Sequence, residues 1–248
     1  MEDNPQLIFE SLNSTGLDLS EGDKIRNFIL MGLPSKEQNS YYEEYWNEIE
    51  KFTKYDVSTF VRDYLSLKQQ EIPTQSKVYL VFKDYVEIGS IQTQSLLKDM
   101  LKYAERYAVL LGGETGYEAL DACIKRLNRL ETTVTRPFFL EVLRLKEENK
   151  LTIEQVSEIF AITENYIFRR SICDLPTSSL NKIFLLLHRE IVRYDGTEEN
   201  YVEKFKYALL SKKEKARFPE NNEFARNFSN KPAYLMHRKH KVYILERI

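Results

Sequence analysis

Histidine is the usual general base and metal ligand near neutral pH. This chain has three, His188, His237 and His240. His237 and His240 stand three apart in Met236-His237-Arg238-Lys239-His240, a spacing that can place both on one helical face. Arg238, Lys239 and Lys241 surround them with like charge and no carboxylate lies in the segment, which opposes a bound cation. His188, inside Leu185-Leu186-Leu187-His188-Arg189, reads as a helix-face residue. Cys123 and Cys173 are far apart, form no CxxC pair and have no histidine beside them in sequence. There is no GxSxG elbow. Gly112-Gly113-Glu114-Thr115-Gly116 lacks the Lys-Ser/Thr of a Walker loop and reads as a connection between helices. No catalytic set and no metal-ligand set is assembled in the sequence.

Two regions have polar chemistry of another kind. Asn13, Ser14, Thr15 and Gly16 gather short polar side chains and backbone amides between an apolar run and a helix start, an arrangement able to hold an anion. Asp23, Arg26 and Asn27 follow on the first helical turns. The plainer reading of the same residues is an Asx-type turn and a helix cap. The second region is the C-terminal quarter. Residues 182–248 hold 15 Lys/Arg against 9 Asp/Glu, whereas residues 1–71 hold 7 against 14. Lys212, Lys213, Lys215, Arg217, Lys239 and Lys241 are therefore candidates for contact with a polyanion. An internal charge match between the two ends explains the same asymmetry.

The elements that must position these groups read as helices. Eight glycines and seven prolines in 248 residues leave little turn chemistry, and 42% apolar residues suffice for a substantial core. Leu7 to Leu12 reads as an extended segment running into the Asn13–Gly16 turn. Ser20 caps a helix expected to run through Ile25, Phe28, Ile29 and Leu33 and to end at Pro34. Tyr41, Tyr45, Trp46, Ile49 and Phe52 recur at helical spacing, as do Phe60, Val61, Tyr64 and Leu65 after a cap at Asp56 or Ser58. Further helices centre on residues 78–86, 96–111, 117–130, 137–145, 153–172, 180–194 and 201–210. Short loops predict antiparallel packing of consecutive helices. The fold class is mainly α, a multi-helix bundle with a short extended segment at the N-terminus. The strand, turn and first helix of residues 1–34 are expected to pack with a helical region, residues 35–248, as one body. The nearest thing to an internal boundary is the Lys68–Thr74 stretch. Two unpaired cysteines suit a reducing cytosol, and no apolar run approaches the length of a membrane span.

Phe9-Glu10-Ser11-Leu12-Asn13-Ser14-Thr15-Gly16-Leu17-Asp18-Leu19-Ser20 followed by Asp23-Lys24-Ile25-Arg26-Asn27 resembles the second hallmark segment of GmrSD-type restriction proteins, also catalogued as domain of unknown function 262. Tyr166-Ile167-Phe168-Arg169-Arg170-Ser171-Ile172 with Leu180-Asn181 is similar to that family's helical half. Phe218-Pro219, Phe224 and Tyr243 to Ile248 resemble its passage into the next domain.

The resemblance implies a modification-dependent or phage-defence DNA restriction protein. Members typically begin with a ParB/sulfiredoxin-like module whose Asp-Gly-Gln-Arg type motif handles a nucleotide, and many end in a His-Asn-His type nuclease domain. This chain contains neither, so it is expected to be an interior region, inactive alone, serving as scaffold and coupler between nucleotide sensing and DNA cleavage. Asn13, Gly16 and the Asp23/Arg26 pair carry over as a segment beside the nucleotide pocket, with Ser14 and Thr15 between them. For the whole protein the resemblance implies a nucleoside triphosphate, Mg²⁺ and DNA, whose backbone Lys212, Lys213, Lys215, Arg217, Lys239 and Lys241 would guide; for this chain alone it implies no cofactor. Self-association is a further partner class left open. The rival reading is a non-enzymatic helical adaptor that binds protein partners.

Overall fold

The computed structural model describes residues 19–112, 114–232, 234 and 236–246, all in helices, turns and connections, with no strand among them. The extended segment expected at Leu7–Leu12 lies outside the described residues. Residue contacts group the chain into two compact units, one reaching to Ala108 and one starting at Val109. That division coincides neither with residues 34/35 nor with the Lys68–Thr74 stretch.

In the first unit, α1 (Glu21–Leu30) opens with a capping box. Ser20 Oγ accepts from the Asp23 amide at 3.1 Å and Asp23 Oδ2 accepts from the Ser20 amide at 3.3 Å, which satisfies two amides that a helix start leaves open. The helix ends at Leu30, short of the expected Leu33, because Gly32 takes a left-handed φ of +88° before Pro34 is reached. α2 (Ser35–Tyr41) passes through a π turn, Tyr42–Trp46, into α3 (Asn47–Phe52). The wider turn is occupied by the adjacent buried rings of Tyr45 and Trp46. α4 (Val57–Gln69), capped by Asp56, α5 (Val78–Ile88) and α6 (Thr93–Leu110) complete the unit, whose boundary falls in the last turn of α6.

α1 packs on both α4 and α5. Gly22 permits the close approach to α4: its amide donates to Ser58 Oγ at 2.9 Å, and a Cβ there would stand 3.1 Å from Val57 Cβ. Ser58 thus serves the packing of α1, while Asp56 alone does the capping. Glu21 Oε2 accepts from the Tyr79 amide at 2.7 Å, so the first turn of α1 also closes an open amide at the start of α5.

In the second unit, α7 (Glu118–Arg129), α8 (Arg136–Glu147), α10 (Ser178–Arg193), α11 (Tyr201–Leu210), α12 (Asn221–Asn230) and α13 (Arg238–Leu245) are arranged about the 20-residue α9 (Ile153–Ile172). α9 packs on α7, α8, α11 and α12. Its buried residues, among them Tyr166, Ile167, Phe168 and Ile172, occupy more than one face, as a central helix requires. The largest packing pairs skip a helix, α7 with α9 and α8 with α10, so the simple antiparallel neighbours expected from short loops are only part of the pattern. Phe139 stacks on Phe160 at a centroid distance of 3.7 Å and Phe138 on Phe205 at 5.6 Å, tying α8 to α9 and α11.

With glycine scarce, helix exits fall on other residues. Glu131, Asn149 and Asp174 hold positive φ just past α7, α8 and α9, and the Leu175 amide returns to the Arg170 carbonyl at 3.0 Å.

Candidate functional site

Asn13, Ser14, Thr15 and Gly16 lie outside the described residues. Asp23 and Arg26 are brought together on α1: Arg26 Nη2 stands 3.2 Å from Asp23 Oδ1, and Arg26 Nη1 is 3.4 Å from Glu50 Oε1. Asp23 Oδ2 meanwhile serves the Ser20 cap. Both carboxylate oxygens of Asp23 are thus engaged within the helix start, and Arg26 bridges α1 to α3.

The six basic candidates near the C-terminus fall into two groups. Lys212 pairs with Glu190, Arg217 with Glu223, and Lys239 Nζ lies 3.4 Å from Glu131 Oε2. Lys213 and Lys215 flank the start of a short 3₁₀ turn, Glu214–Ala216, and are exposed; Lys241 is half-buried on α13. Half of the basic set therefore has local carboxylate partners, and the described charge match is made within the second unit.

The densest set of directed contacts starts on α9. The Tyr166 hydroxyl donates to the Ala216 carbonyl at 2.6 Å, and its ring lies 5.2 Å from that of Phe218. Arg169 Nη1 donates to the Pro219 carbonyl at 3.1 Å and to Asn221 Oδ1 at 2.7 Å, with its guanidinium 5.1 Å from the Phe224 ring centroid. Arg170 reaches the other way: Nη1 donates to the Arg217 carbonyl at 3.2 Å, and Nη2 to the Pro176 carbonyl at 2.8 Å and Ser179 Oγ at 3.1 Å. Phe168, just before them in sequence, packs against Phe224 at 6.0 Å and Tyr243 at 4.4 Å. One helical segment thus clamps the 216–221 loop, α12 and α13 together. The sequence marks this set only as two adjacent arginines in an aromatic helix; their loop carbonyl partners come from 47 and 50 residues away.

Earlier on α9 lies an acidic centre with no motif in the sequence. Glu164, 1% exposed, accepts from Arg126 at 2.6 and 2.8 Å, from Cys123 Sγ at 3.0 Å and from the Tyr243 hydroxyl at 2.7 Å. Burial pushes its pKa up, but these donors outweigh burial and hold the carboxyl below its ordinary value. A second cluster surrounds His188, whose Nδ1 is 2.9 Å from the Tyr201 hydroxyl and Nε2 3.6 Å from Glu141 Oε2. Arg144 pairs with Glu141, Glu148 and Glu198 beside it. Burial lowers the His188 pKa, with Glu141 opposing and Arg144 adding to the shift.

His237 stands at the N-cap position of α13 without a side-chain capping bond and is exposed, while His240 lies in the first turn with its ring 6.4 Å from that of His237. Among the described residues no group of three or more His, Cys, Asp and Glu side chains is placed to hold a metal ion. No helix among them is long and apolar enough to cross a membrane. No family model, no curated protein and no solved structure matches the chain.

Proposed function

We propose that this chain is the helical scaffold and coupling region of a modification-dependent or phage-defence DNA restriction protein, without cleavage activity of its own. The observation that supports the reading is the clamp on α9. Three segments that carry the family resemblance, at Tyr166–Ile172, Phe218–Phe224 and Tyr243, are remote in sequence and meet around Phe168, Arg169 and Arg170. A coupler is served by such a junction, because packed side chains and hydrogen-bond networks can carry coupling between sites. In this reading the whole protein acts in the cytoplasm, binds a nucleoside triphosphate and uses Mg²⁺ for phosphodiester hydrolysis, both handled by other regions. Exposed Lys213 and Lys215 guide the DNA backbone, with Lys241 beside them in role.

Binding to duplex DNA tests the proposal. Fluorescence anisotropy with a labelled duplex should show affinity that falls steeply with salt, and nuclease assays on the chain alone should show no cleavage. If no salt-sensitive binding is found, and the longer protein leaves modified and unmodified DNA intact with nucleotide and Mg²⁺, the restriction reading is wrong.

The second reading, a protein-interaction adaptor, is favoured by an apolar patch on α11 and the end of α10. Tyr194, Tyr207 and Leu210 are 66%, 60% and 68% exposed, and the two tyrosine rings lie 5.6 Å apart. Binding partners that are lost on Tyr207→Ser, together with an absence of DNA binding, would support it over the first.

A further inference from the structure

Arg170 is 2% exposed, yet among the described residues it meets no carboxylate. Its partners are two backbone carbonyls and a serine hydroxyl, its guanidinium lies 5.1 Å from the Tyr166 ring centroid, and among the described residues its Nε has no hydrogen-bond partner. A guanidinium carries five N–H donors and stays charged in proteins, so burying one beside neutral acceptors leaves both a charge and a donor uncompensated. The neutral partners fix the orientation of the group without neutralising it.

Arg170 lines an open cavity of about 370 Å³, a volume in the range of small-molecule sites. Lys239, His237 and His240 also line it. The acidic residue in the lining, Asp174, is 2.5 Å from Lys231 Nζ, and Lys239 is only loosely held by Glu131 at 3.4 Å. Among the described residues the charges around the cavity therefore leave the Arg170 cation in excess. Leu130, Ile167, Leu175 and Leu180 supply an apolar surface to the same cavity. A lone inorganic ion would leave that surface wet.

We infer that this cavity binds a small organic phosphate, with the phosphoryl oxygens on Arg170, Lys239 and the two imidazoles and the organic body on the leucine and isoleucine side chains. Planar, delocalised guanidinium donors match phosphoryl oxygens in geometry and charge. A duplex backbone presents its phosphates on a convex rod, which does not enter a concavity of this size. The ligand is thus a free phosphate ester rather than DNA, and the inference is independent of the DNA reading above.

The full 248-residue chain is titrated by calorimetry with phenyl phosphate, inorganic phosphate and a short DNA duplex. Saturable binding of phenyl phosphate, about tenfold or more tighter than inorganic phosphate and weakened about tenfold or more by Arg170→Gln, is the expected result. Where Arg170→Gln does not give a native circular dichroism spectrum, the His237→Ala/Lys239→Ala double variant decides. Both residues are at the rim, and a loss of about threefold or more in phenyl phosphate affinity supports the site. Unchanged affinity in a folded variant overturns it. So does the absence of saturation by roughly 10 mM phenyl phosphate, or duplex binding that depends on Arg170 when the ester does not bind.

Discussion

The Tyr243 hydroxyl of α13 donates to Glu164 Oε1 of α9 at 2.7 Å, fastening the last described helix onto the centre of the second unit. Glu164 is otherwise held by the two-pronged Arg126 contact from α7. Hydrogen bonds to a charged group contribute about 1.5–3 kcal/mol, so Tyr243→Phe is expected to lower unfolding stability by an amount near the bottom of that range. Arg126→Met leaves a buried carboxylate without its cation and should cost about 3–5 kcal/mol. Urea denaturation of both single variants and the double variant measures the coupling; strict additivity would mean that the three groups do not act as a unit.

Gly22→Ala sets two effects against each other. Alanine is favoured over glycine inside a helix by about 1 kcal/mol. A Cβ at this position would meet Val57 Cβ at 3.1 Å and the Ser58 amide nitrogen at 3.3 Å, forcing α1 away from α4. Overpacking of this kind costs about 1–3 kcal/mol, so the net effect should be destabilising by about 1 kcal/mol. A rise in the thermal midpoint would show that the α1–α4 packing yields freely.

Acidification should weaken the second unit through His188. Its folded pKa is lowered, first by burial, with Glu141 and Glu198 opposing and Arg144 and Lys150 reinforcing the shift. The unfolded chain takes up a proton near the ordinary value of 6.5 while the folded chain does not, so stability is full above that pH and falls as the pH drops below it. His188→Gln, which retains a polar contact for Tyr201, should flatten the decline in melting temperature between about pH 6.5 and 5. A second loss, smaller because the groups are at the surface, comes from Glu148 and Asp195. Their pKa values are drawn down to about 2 by Arg144 and Lys204 respectively, so their contribution is present above the ordinary carboxylate range and disappears toward pH 2.

Lys213 and Lys215 separate DNA binding from internal pairing. The double change to alanine should reduce the salt dependence of duplex binding by roughly one unit of slope for each of the two lysines that meets a phosphate, with little effect on stability. Lys212→Ala removes the partner of Glu190 and should act on stability instead. Equal salt slopes in wild type and the double variant would rule out these two lysines as backbone ligands.

Much of the helical framework was legible because its signals are local. A cap is satisfied within three residues, as at Ser20 and Asp23, and a core face repeats every three or four, as from Phe60 to Leu65. The expected end of α1 at Pro34 failed through an equally local cause, since Gly32 turned the chain first. The central place of α9 was less visible. A helix buried on several sides loses the one-sided pattern by which surface helices are recognised.

The amino-acid sequence by itself determined that the chain is built of helices, where most of them break, and that positive charge collects toward the C-terminus. Tertiary structure alone decided which charges cancel and which remain. Lys212 finds Glu190 and Arg217 finds Glu223, while Glu164 draws in Arg126 from α7 and Tyr243 from α13. Arg170, in the same helix as Glu164, receives only neutral partners among the described residues. Helix periodicity acts over one turn, whereas the partner of a buried charge is chosen by whichever distant segment packs against it, a choice that no local spacing encodes.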